Sequence, residues 1–337
     1  MKLLGISCGR KMGSSEILLK EALMGAEENK EAIDVEMLRL NDFDIKPCRF
    51  CKICLRIEGG PDACIVKDDV SFIIEKFMQA DGLIISAPVY ILAPPGNLKL
   101  LADRMQPDIV VVMMLKNMGG VHPQTGKKVY LDERVLKKRV GAFISVGGAV
   151  TPHWVSFGMP MMHCNTFPRQ IDLVDQMQVL SVANNLGAVV LNESKIRRAR
   201  QLGGNVAVEM VKLKGKRWQG DELSDTKKQT IDKPKWYGDD TGVCPVCHSN
   251  LLMVGKENPV ECPICGSKGT LKIINNKITV DFTEEEQAIS RLALEGKYIH
   301  QVEIRACAKE LQPQEEIIAE RVKKYQAYLS PLKPSDK

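Results

Sequence analysis

Cys48, Cys51, Cys54 and Cys64 follow the spacing C-x2-C-x2-C-x9-C, while Cys244, Cys247, Cys262 and Cys265 follow C-x2-C-x14-C-x2-C. Together they account for eight of the eleven cysteines in the chain. Thiolates separated by two residues can turn toward one centre, so each quartet can complete a four-thiolate shell around a metal. The first run places three cysteines within seven residues and resembles the compact ligand run of a [4Fe–4S] cluster. Inert buried cysteines would not explain strict i, i+3, i+6 spacing. The gap before Cys64 holds Gly59, Gly60 and Pro61, and loop closure grows costly only slowly with length, so a fourth thiolate stays within reach. A fourth ligand of another kind, or an empty site whose thiols form a redox disulfide, are the other readings of this run. The second quartet reads as the two knuckles of a zinc ribbon. Zinc suits a tetrahedral sulfur shell and needs no redox role, and iron in a rubredoxin-like site is the alternative. A module this small buries too little core to fold without metal.

A second chemistry is written near the start. An apolar strand over residues 2–7 runs into Ser7-Cys8-Gly9-Arg10-Lys11-Met12-Gly13-Ser14-Ser15, and helical spacing begins at Glu16. Strand, Gly/Ser/basic loop, then helix is the layout that presents backbone N–H groups and a helix dipole to a phosphate. A plain strand-to-helix turn capped by Ser14 or Ser15 has the same layout.

The elements that must position these residues alternate. Strands are expected at 35–40, 81–86 and 139–146, with helices at 68–80, 98–104 and 193–213. The third strand ends at Ala87-Pro88-Val89-Tyr90, and the fourth at Gly147-Gly148. A last short strand region is expected from 177–180 and 188–191, and residues 106–137 read as an insertion over or beside the site. Such alternation predicts an α/β doubly wound parallel sheet, whose strand-end loops meet in space and hold the ligand. The domain plan is then 1–213 for the sheet domain, 214–242 for a polar linker pinned by Trp218 and Trp236, and 243–282 for the ribbon. Residues 283–337 complete it as C-terminal helices. A hairpin around Asn275-Asn276 belongs to the ribbon, and Thr283 opens a capping box with Glu286.

The bulk numbers set limits. The chain has 337 residues, 44% hydrophobic and 26% charged, in the range of soluble globular proteins. A net charge of +5 is mild; it does not argue for nucleic acid, and a bound phosphate or an acidic redox partner would be welcome. The stretch from Cys244 to Cys265 carries Lys256 against Glu257 and Glu261 and no aromatic residue, so protein docking is the better partner reading for the ribbon. No apolar window reaches membrane-spanning length, and Met1 leads into an apolar run without a signal-peptide layout. Clustered C-x2-C pairs in such a chain point to a reducing cytoplasm.

Three stretches in order carry a family resemblance. They are the loop Ser7–Ser15, the Cys48…Cys64 run with Lys67-Asp68-Asp69 behind it, and Ala80-Asp81-Gly82…Ser86-Ala87-Pro88-Val89-Tyr90 followed by Asn97-Leu98-Lys99…Asp103-Arg104. With these, the first 210 residues resemble the flavodoxin-like NAD(P)H-dependent FMN reductases, and within them the iron–sulfur flavoproteins. The resemblance implies that Ser7, Arg10, Ser14 and Ser15 hold the FMN phosphate. It places Pro88, Val89, Tyr90 and Ile91 against the isoalloxazine and ribityl, with Asn97 closing the loop and Gly147 and Gly148 at the ring edge. The phosphate loop is one residue shorter than the family pattern, which displaces individual donors by a position. The resemblance further implies a homodimer or tetramer, with ferredoxin or NAD(P)H as donor and electrons passing between a [4Fe–4S] cluster and FMN. A cluster-free NAD(P)H reductase, and a flavin-binding adaptor that docks through its ribbon, are the competing readings. Cys8, Cys164 and Cys307 read as fillers, and His153 and His163 as structural histidines first and donors to flavin or substrate second.

Overall fold

The computed structural model describes residues 1–51, 64–105, 132–166, 169–182, 186–219, 233–238, 244–326 and 328. Cys54, residues 106–131 of the expected insertion and much of the linker lie outside these described residues. Strands β1 (Lys2–Ser7), β2 (Asp34–Arg39), β3 (Gly82–Pro88), β4 (Arg139–Val146) and β5 (Ile171–Val179) form one sheet in the order β2-β1-β3-β4-β5. Every pairing in it is parallel. This is the flavodoxin-like order, with its switch point between β1 and β3.

Side chains alternate across the central strands, so each strand feeds two cores. Leu3, Ile84, Val140, Ala142 and Ile144 pack under α1 (Ser14–Glu27) and the later helix Glu193–Lys212. Leu4, Ile6, Leu83, Ile85 and Phe143 pack under α2 (Val70–Gln79) and α3 (Gly96–Arg104) on the opposite face. The first pair of helices touches backbone to backbone. A Cβ on Gly203 would stand 1.6 Å from the Ala22 carbonyl oxygen, and one on Gly25 would stand 2.0 Å from that of Arg200. Only glycine permits that approach.

The sheet's last strand differs from expectation. One nine-residue strand, β5, replaces the two short pieces, and 188–191 is a 3₁₀ turn. Asp172, Asp175, Gln176 and Gln178 interrupt the apolar pattern of β5, which hides it. Asp175 is nevertheless fully buried, because the Arg198 guanidinium pairs with it and Asn205 Nδ2 donates to it at 2.7 Å.

After the short α4 (Gly158–Met162) and α5 (Glu193–Lys212) comes the ribbon, a three-stranded antiparallel sheet β6 (Val260–Glu261), β7 (Lys268–Ile274) and β8 (Lys277–Asp281). Asn275 and Asn276, both at positive φ (50° and 60°), make the two-residue turn between β7 and β8. Thr283 caps α6 (Glu284–Ala288) by accepting the Glu286 N–H. Contacts group residues 1–297 into one unit, ribbon included, and 298–337 into a second. The helices α7 (Leu294–Leu311) and α8 (Glu315–Gln326) complete the described chain. No helix among the described residues is long and apolar enough to cross a membrane.

Candidate functional site

The carboxyl ends of β1, β3 and β4 lie side by side, with Ser7 opposite Ser86 and Ala87 opposite Ser145. The loop after β1 is held from both sides. Cys8 N–H donates to the Ser86 carbonyl at 2.9 Å, and the Ser86 hydroxyl donates to the Ser15 carbonyl at 2.7 Å. A Cβ on Gly9 would collide with Ser15 Oγ at 2.3 Å, so the loop backbone is pressed against the start of α1. Arg10 is exposed, Ser14 half-buried and Ser15 buried. The free N–H groups of a helix's first turn, together with its dipole, make this end anion-binding. Cys8 fills the loop's interior, and burial pushes its thiol pKa up.

The local charges around this turn cancel. The Glu16 side chain is fully buried and accepts from Arg39 Nε at 2.6 Å and Nη2 at 3.0 Å, with Lys20 3.1 Å away. The Arg39 hydrogen bonds, against the opposing effect of burial, hold its pKa down at about 2. The cradle is thus left with backbone donors, hydroxyls and the exposed Arg10.

The loop after β3 turns sharply. Tyr90 N–H donates to the Ala93 carbonyl at 2.8 Å, and Ile91 and Leu92 between them have φ of 48° and 70°. The turn throws Ile91 out at 94% exposure and leaves Tyr90 half exposed, while Val89 N–H is tied to the Val146 carbonyl. Pro88 ends β3 against Gly9. Asn97 Nδ2 donates to Asn41 Oδ1 at 2.7 Å, and Asn41 in turn donates to the Gly9 carbonyl, linking the start of α3 to the phosphate loop. Gly147 is buried and its N–H bonds to the Val179 carbonyl. A Cβ there would meet Val155 at 2.4 Å, so its small size serves packing; Gly148 is exposed. Ser7 Oγ, Ser145 Oγ and Asn97 Oδ1 are buried at these strand ends without a partner. Such orphans are rare in a folded interior and fit a ligand rich in polar oxygens and nitrogens. Together with the Gly9 cradle they fit FMN.

The cysteine run stands on two stems. Lys46 N–H donates to Asp68 at 2.9 Å, Asp44 N–H donates to Asp69 at 2.7 Å, and Asp69 N–H returns to the Asp44 carbonyl. Arg104, at the end of α3, spans both stems. It donates to Asp68 at 2.6 and 3.0 Å, to the Lys46 carbonyl at 3.0 Å, and to Cys64 Sγ at 3.4 Å. The Arg104 and Asp68 side chains are only 4% and 1% exposed. Burial works against the Asp68 carboxylate, yet Arg104 and the Lys46 and Val70 N–H groups outweigh it and hold its pKa below the usual range. Cys48 Sγ accepts the Phe50 N–H at 3.4 Å. Cys48 and Cys64 are half-buried and Cys51 is exposed. Two of the three described sulfurs thus already take hydrogen bonds, as sulfurs that carry negative charge do.

Cys244, Cys247, Cys262 and Cys265 are all buried, and their sulfurs lie within 4.8 Å of one another. A tetrahedron with metal–sulfur bonds of about 2.3 Å has edges of about 3.8 Å, so the quartet fits a four-thiolate shell. The knuckles repeat one turn. His248 N–H bonds to the Cys244 carbonyl as Gly266 N–H does to that of Cys262, and the two residues have φ of 57° and 76°. Ser267 Oγ lies 3.3 Å from Cys265 Sγ. Sharing a proton with the Cys244 sulfur, and then with the other two, pushes the Cys247 thiol up; a cation removes that competition.

Sequence reasoning gave no role to Arg104, Glu16 or Gln176. Arg104 and Glu16 act through partners distant in sequence, and nothing in their local spacing marks them. Gln176 sits on β5, and its amide reaches the His248 carbonyl at 3.1 Å. His163 is 4% exposed and packs edge-on against Phe143, while His153 is exposed beside Trp154. Cys164 is half-buried and Cys307 exposed.

Comparison with known proteins agrees with this layout. Residues 1–170 match the model of the NADPH-dependent FMN reductase family. A flavone synthase of Aspergillus candidus is 29% identical over 276 residues, covering 81% of this chain and 79% of that protein. An iron–sulfur flavoprotein of Methanocaldococcus jannaschii is 36% identical over 121 residues, which are 36% of this chain and 60% of that protein. One of Methanosarcina thermophila is 32% identical over 44% of this chain and 64% of its own length. A solved flavone reductase superposes with a TM-score of 0.74 over 99% of this chain and all of that one, at 24% identity, and so shares the fold. The chain belongs to the NADPH-dependent FMN reductase family and is an FMN-dependent oxidoreductase that carries a buried four-cysteine metal site.

Proposed function

We propose that this chain is an FMN reductase of the iron–sulfur flavoprotein type. Cys48, Cys51, Cys54 and Cys64 would hold a [4Fe–4S] cluster, and Cys244, Cys247, Cys262 and Cys265 would hold zinc. Ser7, Arg10, Ser14 and Ser15 would hold the FMN phosphate, with Pro88–Ile91 and Asn97 along the flavin. When bound, FMN supplies the exchange between one-electron and two-electron chemistry. The residues of the chain hold and shield: Arg104 joins the stems that carry Cys48 and Cys64, and the Ser7 and Asn97 polar atoms orient the ligand. The carrying observation is the Arg104 clamp, a buried guanidinium that donates to the Cys64 sulfur. Ferredoxin or NAD(P)H is the donor, and the protein works in the cytoplasm as a homodimer or tetramer. The relatives named for flavones point to a planar, oxygenated aromatic acceptor.

Iron and sulfide analysis of anaerobically purified protein and of Cys51→Ala tests the cluster. About four iron and four sulfide per chain, lost in the variant while FMN and zinc remain, is the expected result. Zinc and FMN without labile sulfide would leave a cluster-free NAD(P)H reductase.

A further inference from the structure

Where the first knuckle of the ribbon meets the loop after β4 and the end of β5, the chain forms a half-open cavity of about 450 Å³. Pro152, Val155, Met159 and Ile264 give it apolar walls, and its buried polar residues are His163, Gln176 and Ser249, the last already accepting the Leu251 N–H. The Cys247 carbonyl accepts a hydrogen bond from the His163 ring, whose Nδ1 has no partner. The donated proton is therefore on Nε2, and Nδ1 is left as the ring's buried, unpartnered nitrogen. An imidazole in that state offers Nδ1 as an acceptor. The Gln176 side chain has the same polarity. Its Nε2 donates to the His248 carbonyl at 3.1 Å, and its Oε1 is buried without a partner.

Both acceptors are held in place. The Thr166 N–H and hydroxyl each donate to the His163 carbonyl at 3.1 Å, and Phe143 meets the ring edge-on at 5.1 Å. His248 is stacked on Trp236 at 3.6 Å and 8°, which stiffens the knuckle. Buried acceptors in native interiors are almost always satisfied. The cavity volume falls within the range that organic ligands occupy, and its apolar walls suit a ring system.

We infer that this cavity binds a hydroxylated aromatic molecule, whose phenolic O–H groups donate to His163 Nδ1 and Gln176 Oε1. In naming an acceptor class, the inference rests on the reading of the chain as a reductase of flavone-type compounds. It adds a site away from the phosphate loop, built jointly by the sheet and the ribbon, and a chemical criterion for its occupant. An aromatic compound without donors leaves both acceptors unmet and binds less well.

Calorimetry on the full chain with its FMN, without any electron donor, tests this with a dihydroxyflavone and its dimethyl ether. The wild type is expected to bind the dihydroxyflavone at least about tenfold more tightly. His163→Leu and Gln176→Met, each first shown to retain flavin and ribbon metal, are expected to shrink that ratio to about two. Equal affinity of the wild type for the two compounds would overturn the inference and needs no variant. A preference that survives in both variants would overturn it as well. Hydroxyl-selective binding without turnover would sustain the cavity and remove the flavone-reductase reading. Turnover of both compounds with no hydroxyl preference would do the reverse.

Discussion

The two cysteine quartets are built on opposite plans. The ribbon's sulfurs are all buried, and the turns that aim them are backbone turns, the same in each knuckle. The first run leaves Cys51 exposed, and its stems are joined by side chains: the Asp68 and Asp69 carboxylates, and Arg104 across them. A closed shell excludes solvent and competing ligands, which suits a metal that holds structure. A shell open to water, with a cation on one sulfur, suits a centre whose charge changes during turnover. On the proposed reading, one chain thus keeps a metal that holds structure apart from a centre that exchanges electrons.

Removing a ribbon ligand is expected to have the largest effect. Small zinc modules draw roughly 10–16 kcal/mol of apparent folding free energy from the metal. Cys262→Ser should therefore unfold residues 244–282, read as zinc loss together with protease sensitivity confined to that stretch. Flavin absorbance should persist, because the loops after β1 and β3 are held by hydrogen bonds among Cys8, Ser15, Ser86, Asn41 and Asn97, all outside the ribbon. Release of flavin in the same variant would show that the two regions fold as one.

Arg104→Ala comes next. It strands a carboxylate that is 1% exposed, and unpairing a buried charge costs about 3–5 kcal/mol. Urea unfolding should show that loss, and alkylation of Cys48 and Cys64 should speed up as the stems part. Arg104→Lys keeps the charge but not the fork that reaches Asp68, the Lys46 carbonyl and Cys64 together, so it should fall between. An alanine variant that unfolds like the wild type would mean the stems hold without the clamp.

Much of this contrast was legible in the sequence, and the reason is spacing. Cysteine intervals announce the ribbon quartet, whose sulfurs the fold gathers within 4.8 Å, and the Gly/Ser stretch after β1 announces the tight strand-to-helix turn, because such a turn dictates its own residue types. The parallel order followed from alternating strands and helices. What escaped depends on partners far apart in the chain. β5 was cut short because the Asp175 that interrupts its pattern is neutralised by Arg198 and Asn205, 23 and 30 residues later. Arg104 belongs to a stretch that carries the family resemblance, but only the fold brings it onto Asp68 and Cys64. The packing demand on Gly147 was equally hidden, since a Cβ there would meet Val155 at 2.4 Å.

Acid should sharpen the distinction between the charge-built loops and the ribbon. Glu16 has a folded pKa of about 2, depressed from an unfolded value near 4.5. Its contribution is complete above the unfolded value and fades as pH falls from about 5 toward 2. A depression of that size corresponds to about 3 kcal/mol. Glu16→Gln should flatten the stability profile over that window and loosen flavin binding at neutral pH, followed by flavin fluorescence. An unchanged acid limb would remove Glu16 and Arg39 from the forces that shape the phosphate turn.

The smallest effect is expected at the position after the second cysteine, where one knuckle has histidine and the other glycine. His248 and Gly266 follow the second cysteine of their pairs, both at positive φ. A non-glycine residue there costs about 1 kcal/mol, which His248→Gly would recover. It would also lose the ring stacked on Trp236 at 3.6 Å, worth about 0.5–1.5 kcal/mol. The two terms nearly cancel, so the urea midpoint for zinc retention should barely move. Gly266→His has no such compensation: its Cβ would sit 3.0 Å from Arg291 Nη2, and the left-handed backbone would cost the same. Its midpoint should fall measurably below that of His248→Gly. If the two variants retained zinc equally, the knuckles would be interchangeable, and the stacked Trp236 would contribute nothing to the closed shell.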